Sequence, residues 1–265
     1  MSGLHVVRAG SRQTSPMVLI HGSGASGATW APVIPALAEH HDVICVDLPG
    51  MGQSEPPTSY DVPSQASRVA ELIDSLDVGP VTLVGHSSGG YVATSLAEQR
   101  PELVSAIALI STGPSPAALL PQPALLRALT SPPIGRLVWA LRSDKLVRKG
   151  IRVTCVRPVE IPDALVAELR GLTYKTFSSV LRHNGAYIAE RSVPDRLTKI
   201  DVPMLVGFGG ADPRWDPQSA HEYDVLPRGR VELLPGIGHV PMLEAPDTTS
   251  RLLLDFTATD RSRQA

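Results

Sequence analysis

Cysteine is nearly absent, with Cys45 and Cys155 the only two in 265 residues. Cys45 lies inside an apolar strand run, where it reads as a small buried hydrophobe and not as a disulfide partner or nucleophile. No apolar run approaches the ~20 residues of a membrane span. The start of the chain lacks the basic-then-apolar layout of a secretory signal, so a cytoplasmic protein is expected. A net charge of −2 gives no general pull toward nucleic acid or membrane, and the expected partner is a small-molecule substrate, on a monomer or homodimer. Internal repeats are missing as well. What remains, 43% hydrophobic and 19% charged residues, is an ordinary globular composition. The length suits one large domain with room for an insertion.

Strand and helix patterns alternate along the first half. Leu4 to Arg8 reads as an edge strand, Met17 to Ile20 and Val43 to Val46 as buried strands, and Trp30 to His40 as a helix-like link between them. An amphipathic helix covers Arg68 to Leu76, starting near Ser64. Strand patterns at Val81 to Val84 and Val104 to Ile110 flank a helix at Tyr91 to Glu98. After Ser111 the rhythm changes. Prolines crowd Pro114 to Pro133, and the chain out to Val193 is helical without clear strands. A strand at Pro203 to Phe208, a helix at Gln218 to Leu226, a strand at Arg230 to Leu234 and a helix at Ala245 to Phe256 follow, then a tail, Asp260 to Ala265, expected to be disordered. This order predicts a mostly parallel sheet covered on both faces (residues 1–113 and 194–265), with residues 114–193 inserted over its strand ends.

Gly85-His86-Ser87-Ser88-Gly89 joins a strand to a helix with almost no loop. A turn that tight holds its central residue in a strained conformation and needs small neighbours, so Ser87 projects from the sheet end as on a nucleophile elbow. A serine is a weak nucleophile and requires a base, a group that orients the base, and donors for the oxyanion. His239, in Pro235-Gly236-Ile237-Gly238-His239, follows the last strand and can fold back over the sheet edge. Asp212, in Gly209-Gly210-Ala211-Asp212, leaves the preceding strand, and Asp216 is its rival, although Asp216-Pro217 resembles a helix cap. The backbone N–H of Ser88 is one oxyanion donor. The second is expected from the loop after His21, at Ser23 or alternatively Gly24, with His21 shaping that loop. His183 could contact substrate.

One competing pattern uses the same loop. Gly22-x-Gly24-x-x-Gly27 follows a strand and precedes Asp47, as in a dinucleotide-binding turn. Pro32 and Pro35 weaken the helix that turn requires, and Ser87, Asp212 and His239 would be left without a task.

With His21-Gly22-Ser23-Gly24, Asp47-Leu48-Pro49-Gly50-Met51-Gly52-Gln53-Ser54, the elbow, Asp212 and Gly238-His239 assembled, the chain resembles the α/β-hydrolase superfamily from about Val18 to Phe256, the insertion excepted. The resemblance implies an α/β fold with a mostly parallel, eight-stranded-type sheet, helices on both faces and a helical cap. It also implies a serine hydrolase with Ser87, Asp212 and His239 as its triad, Ser23 and Ser88 at its oxyanion hole, and neither cofactor nor metal. A serine at the elbow sets the chain apart from epoxide hydrolases and haloalkane dehalogenases, which carry aspartate there. Val240 stands where the C–C bond hydrolases of this superfamily usually have tryptophan. Carboxylic ester hydrolysis is the leading reaction. C–C bond hydrolysis of a diketone-like acid and thioester hydrolysis come next, and a non-hydrolytic receptor or lyase is the alternative of another class. Residues 114–193 hold 12 Lys and Arg against 5 Asp and Glu. That excess is expected to be mainly a solvated face, with one or two arginines as candidates to hold an anionic substrate. Leu119, Leu120, Leu125, Leu126, Leu129, Ile134, Leu137, Val138 and Trp139 suit an apolar acyl group or core packing.

Overall fold

The computed structural model describes residues 3–122 and 131–264. Seven strands form one sheet: β1 (Val6–Ala9), β2 (Pro16–Ile20), β3 (Asp42–Val46), β4 (Val81–His86), β5 (Val104–Ile110), β6 (Met204–Gly209) and β7 (Gly229–Leu234). Their order is β1-β3-β2-β4-β5-β6-β7. Only β1 runs antiparallel, against β3. Among the described residues the sheet therefore has seven strands, one fewer than the eight-stranded type expected. Gly10, at φ +92°, turns the chain from β1 toward β2.

The central strands are fully buried apolar runs because helices cover both faces. Successive side chains alternate between two cores. Val18 and Ile20 join the core under α2 (Val62–Leu76) and α3 (Ser88–Gln99), whereas Met17 and Leu19 join the core that includes Trp30, Leu37 and Leu253. The expected Trp30–His40 helix is broken into a 3-10 turn, Gly27–Trp30, and a short α1, Ile34–Ala38. Pro32 and Pro35 remove the donors a continuous helix would need. The segment at Gln218 to Leu226 is a 3-10 helix, Pro217–Val225, not an α-helix. The last helix runs on through the expected tail to Gln264, since no proline or glycine after Pro246 stops it.

Between β5 and β6 the chain forms α4 (Ile134–Leu141), α5 (Asp144–Arg152), α6 (Asp163–Gly171), α7 (Tyr174–Glu190) and α8 (Val193–Leu197). The Val193 N–H donates to the Pro114 carbonyl at 2.9 Å, so the two ends of the inserted segment meet. Its helices lie over the loops that leave the strands: Asn184 reaches Ser23, and Glu168 reaches Ser26. Chain order reverses between β2 and β4. In open α/β sheets the crevice at such a reversal, outside the carboxyl ends of the strands, is where ligands bind.

Candidate active site

β4 ends at His86 and α3 begins at Ser88, leaving Ser87 alone in the turn at φ 51°, ψ −122°. A non-glycine residue in that region is strained and persists only where its surroundings over-determine it. Here they do. The Ser87 N–H donates to the Ile110 carbonyl at 2.8 Å, and its own carbonyl accepts from Gly90 N and Thr112 Oγ1, both at 3.0 Å. The glycines are required by close backbone passage. A Cβ on Gly85 would come within 2.5 Å of Gly90 Cα, and one on Gly89 within 2.4 Å of the Ile20 carbonyl oxygen.

The loops after β6 and β7 bring two further side chains to this serine. His239 Nε2 stands 3.1 Å from Ser87 Oγ, and its Nδ1 stands 2.8 Å from Asp212 Oδ2. The other oxygen of Asp212 accepts the backbone N–H groups of Arg214, at 2.7 Å, and Trp215, at 3.2 Å. A carboxylate can only accept, so Nδ1 carries the imidazole proton and the Nε2 lone pair faces the serine hydroxyl. All three side chains are buried. Asp216 does not enter this group; its carboxylate caps the following 3-10 helix at Gln218 N, 3.0 Å away.

Ser23 and Ser88 are also brought together, their hydroxyls 2.7 Å apart. Asn184, on α7, donates to Ser23 Oγ at 2.8 Å. As the first residue of α3, Ser88 has a backbone N–H with no acceptor inside its helix. Gly24, at φ +63°, lies directly under the ring of Phe177. His21 sits apart from Ser87's partners. Its Nδ1 donates to the Gly22 carbonyl and its Nε2 accepts from Leu48 N, and burial lowers its pKa, so the neutral ring braces two loops.

The dinucleotide-like pattern has another use in this fold. Asp47 is engaged within the protein: its carboxylate accepts Gly27 N at 2.7 Å and Gln53 N at 2.9 Å, and contacts His5 Nδ1. Only one 3-10 turn follows the glycines, which leaves no regular helix N-terminus for a pyrophosphate.

The basic residues of the inserted segment mostly serve the protein itself. Arg142 lies 4.3 Å over the Trp139 ring and donates to the carbonyls of Trp139, Leu169, Arg170 and Leu172. Arg148 holds Asp163 and the Ile161 carbonyl, while Lys145, Lys149 and Arg152 are exposed. Leu119, Ile134 and Leu137 are exposed too. Leu125, Leu126 and Leu129 lie outside the described residues. Phe177, on which Trp139 stacks at 4.5 Å, supplies apolar surface beside Gly24.

Sequence reasoning missed three supporting residues. One is His86, whose Nε2 donates to the His239 carbonyl at 2.8 Å. Burial first, and then the nearby His239, push the His86 pKa down to about 3, so this ring stays neutral beside His239. The others are Asn184 and Glu244. Each contacts a segment far away in the sequence, and no local pattern signals such a partner.

A family model described as "Alpha/beta hydrolase family" matches residues 17–252. A pimeloyl-[acyl-carrier protein] methyl ester esterase of Neisseria meningitidis is 28% identical over 241 residues, covering 90% of this chain and 91% of that protein. A putative 2-succinyl-6-hydroxy-2,4-cyclohexadiene-1-carboxylate synthase of Bacillus subtilis is 27% identical over 265 residues, covering 93% and 92%. Among solved structures, a putative aryl esterase from Burkholderia cenocepacia superposes with a TM-score of 0.82 at 24% identity, covering 98% of this chain and 95% of that one. That last likeness speaks to the fold.

Proposed function

The chain belongs to the alpha/beta hydrolase family and is a hydrolase, and from that premise we propose that it cleaves a carboxylic ester of a small, partly apolar substrate through a Ser87 acyl-enzyme. The observation that carries this reading is the unbroken line Ser87 Oγ, His239 and Asp212, with separations of 3.1 and 2.8 Å. His239 Nε2 takes the hydroxyl proton as Oγ attacks the carbonyl. Asp212 holds the reactive tautomer and steadies the imidazolium that forms. The charge on the carbonyl oxygen meets the N–H groups of Ser23 and Ser88, whose loops are joined by their hydroxyls. His239 then returns the proton to the leaving alcohol, and water attacking by the same route frees the acid.

The esterase named among the relatives and the apolar Phe177–Trp139 pair favour an ester with an apolar acyl or alkyl group. Cap arginines already engaged with backbone carbonyls favour a neutral substrate over an anionic one. The relative named as a synthase favours a second reading, a non-hydrolytic reaction at the same three residues. Two measurements separate the readings. A fluorophosphonate probe is expected to label Ser87 and p-nitrophenyl esters to turn over, with turnover lost in Ser87→Ala. Protein that is labelled but turns over no ester, thioester or dienone acid would support the second reading. Protein that is not labelled at Ser87 would refute both.

A further inference from the structure

Glu244 is the last residue of the short helix α9, Pro241–Glu244, that follows His239. Its side chain is buried and charged, and it has no lysine, arginine or histidine partner among the ion pairs of the described residues. Backbone N–H groups surround it instead. Oε2 accepts from Gly238 N at 3.0 Å, Val156 N at 2.8 Å and Arg157 N at 3.1 Å, and Oε1 accepts from Val240 N at 3.2 Å. Four donors on one buried carboxylate replace the water it lost on folding.

The identity of the four donors matters more than their number. Gly238 and Val240 are the immediate neighbours of His239. Val156 and Arg157 belong to the inserted segment. The remaining N–H between the first pair, that of His239, donates to the Thr154 carbonyl at 2.9 Å. The Arg157 side chain reaches the same loop from its outer side, with Nε on the Gly236 carbonyl at 2.8 Å and Nη2 on the Pro235 carbonyl at 3.3 Å. Even the glycine before the histidine fits this approach, because a Cβ on Gly238 would stand 2.8 Å from Glu244 Oε1 and 3.0 Å from Val156 N.

We propose that Glu244 is a positioning residue that locks the loop carrying His239 to the Thr154–Arg157 stretch of the cap, so that the base stands against Ser87 only while that stretch is seated. This inference rests on the reading of His239 as the general base. It makes the cap a part of the catalytic geometry as well as a cover. Displacing residues 154–157 removes the hydrogen bond on His239 N, two of the four on Glu244 and both on the Arg157 guanidinium, so the loop loses its support from three sides together.

The test uses Glu244→Gln, which keeps the shape but turns an NH2 group toward N–H donors, and Arg157→Ala, whose exposed side chain can be removed without opening the core. In folded Glu244→Gln, kcat is expected to fall roughly 10- to 100-fold, the loss typical of a catalytic group displaced by about 1 Å. KM should stay near the wild-type value. The rate of Ser87 labelling by a fluorophosphonate should fall in parallel, and the acid limb of the kcat/KM profile should move. Arg157→Ala should shift the same readouts in the same direction, and the double variant should lose less than the product of the two single losses. A residue that only stabilises the fold would lower the melting temperature and leave these rates and the profile unchanged. Wild-type rates and an unmoved acid limb in folded Glu244→Gln overturn the proposal, and fully multiplicative losses overturn the link to the cap. If wild-type protein resists the probe, the serine-hydrolase reading itself fails and takes this inference with it.

Discussion

Asp212→Asn separates orientation of the base from mere packing, and its outcome can be worked from the hydrogen bonds around that side chain. One oxygen of Asp212 accepts two backbone N–H groups, from Arg214 and Trp215, and the other accepts from His239 Nδ1. An asparagine in this place has one oxygen and one NH2. The two backbone donors leave no freedom, since the NH2 cannot face them, so the oxygen must stay there and the NH2 must turn toward the histidine. Nδ1 then has to accept. The ring proton moves to Nε2 and points at Ser87 Oγ, where a lone pair is needed. Geometry is preserved and the tautomer is inverted. The same inversion in a serine protease triad lowers kcat about 10⁴-fold, equivalent to ~5 kcal/mol at 1.36 kcal/mol per tenfold. The assay is kcat/KM on a p-nitrophenyl ester, beside a thermal melt showing that the variant is folded. Asp216→Asn is the control. It sits in a helix cap that asparagine fills equally well, so stability should change by less than about 1 kcal/mol and the rate should stay within a few-fold. Activity of Asp212→Asn within tenfold of wild type, or a collapse of rate in Asp216→Asn, would refute the reasoning.

The buried imidazole of His86 predicts a pH effect on stability. Its pKa lies at about 3 in the fold against 6.5 for the ordinary side chain, so below pH 6.5 the unfolded chain binds a proton that the folded chain refuses. Stability should therefore fall as the pH drops from 6.5 toward 3, with His86 adding up to about 1.4 kcal/mol per pH unit. Urea unfolding of wild type and His86→Gln over that window measures it, and equal slopes would refute the assignment. Two glycines predict opposite signs. Gly90→Ala puts a Cβ 2.2 Å from Thr112 Oγ1, the atom that holds the Ser87 carbonyl. It should cost about 1–3 kcal/mol or more and abolish ester turnover. Gly150→Ala, in helix α5 with nothing within 4 Å of the new atom, should gain about 0.5–1 kcal/mol; melting temperatures read both.

Legibility in the sequence followed one rule: features fixed by neighbours along the chain could be read, and features fixed by partners across the fold could not. Val104–Ile110 matches its strand to the residue, because a run of buried β-branched and small apolar residues bounded by Pro101 and Ser111 has a single reading. Ser87, Asp212 and His239 stood out because each lies in a Gly-rich turn directly behind such a run. A parallel sheet gathers those turns at one edge, so three distant turns in the sequence become three adjacent side chains. The 3-10 helix at Pro217–Val225 was less accessible, since α and 3-10 turns begin with the same Asp-Pro cap and differ only in how the helix packs. His86, Asn184 and Glu244 gave no signal. Their partners are the His239 carbonyl, the Ser23 hydroxyl and the Val156 and Arg157 amides, 153, 161, and 88 and 87 residues away. Three of those partners are backbone groups, which any sequence would supply. The apolar residues of the inserted segment show a related limit: Leu137, 61% exposed, has the helical spacing of a core or pocket residue, and spacing identifies a shared face without saying which way that face turns. The meeting of Ser87, Asp212 and His239 at the sheet edge was therefore legible in local turns. The contacts around the His239 loop depend on partners that meet it only once the inserted segment has folded back over the sheet.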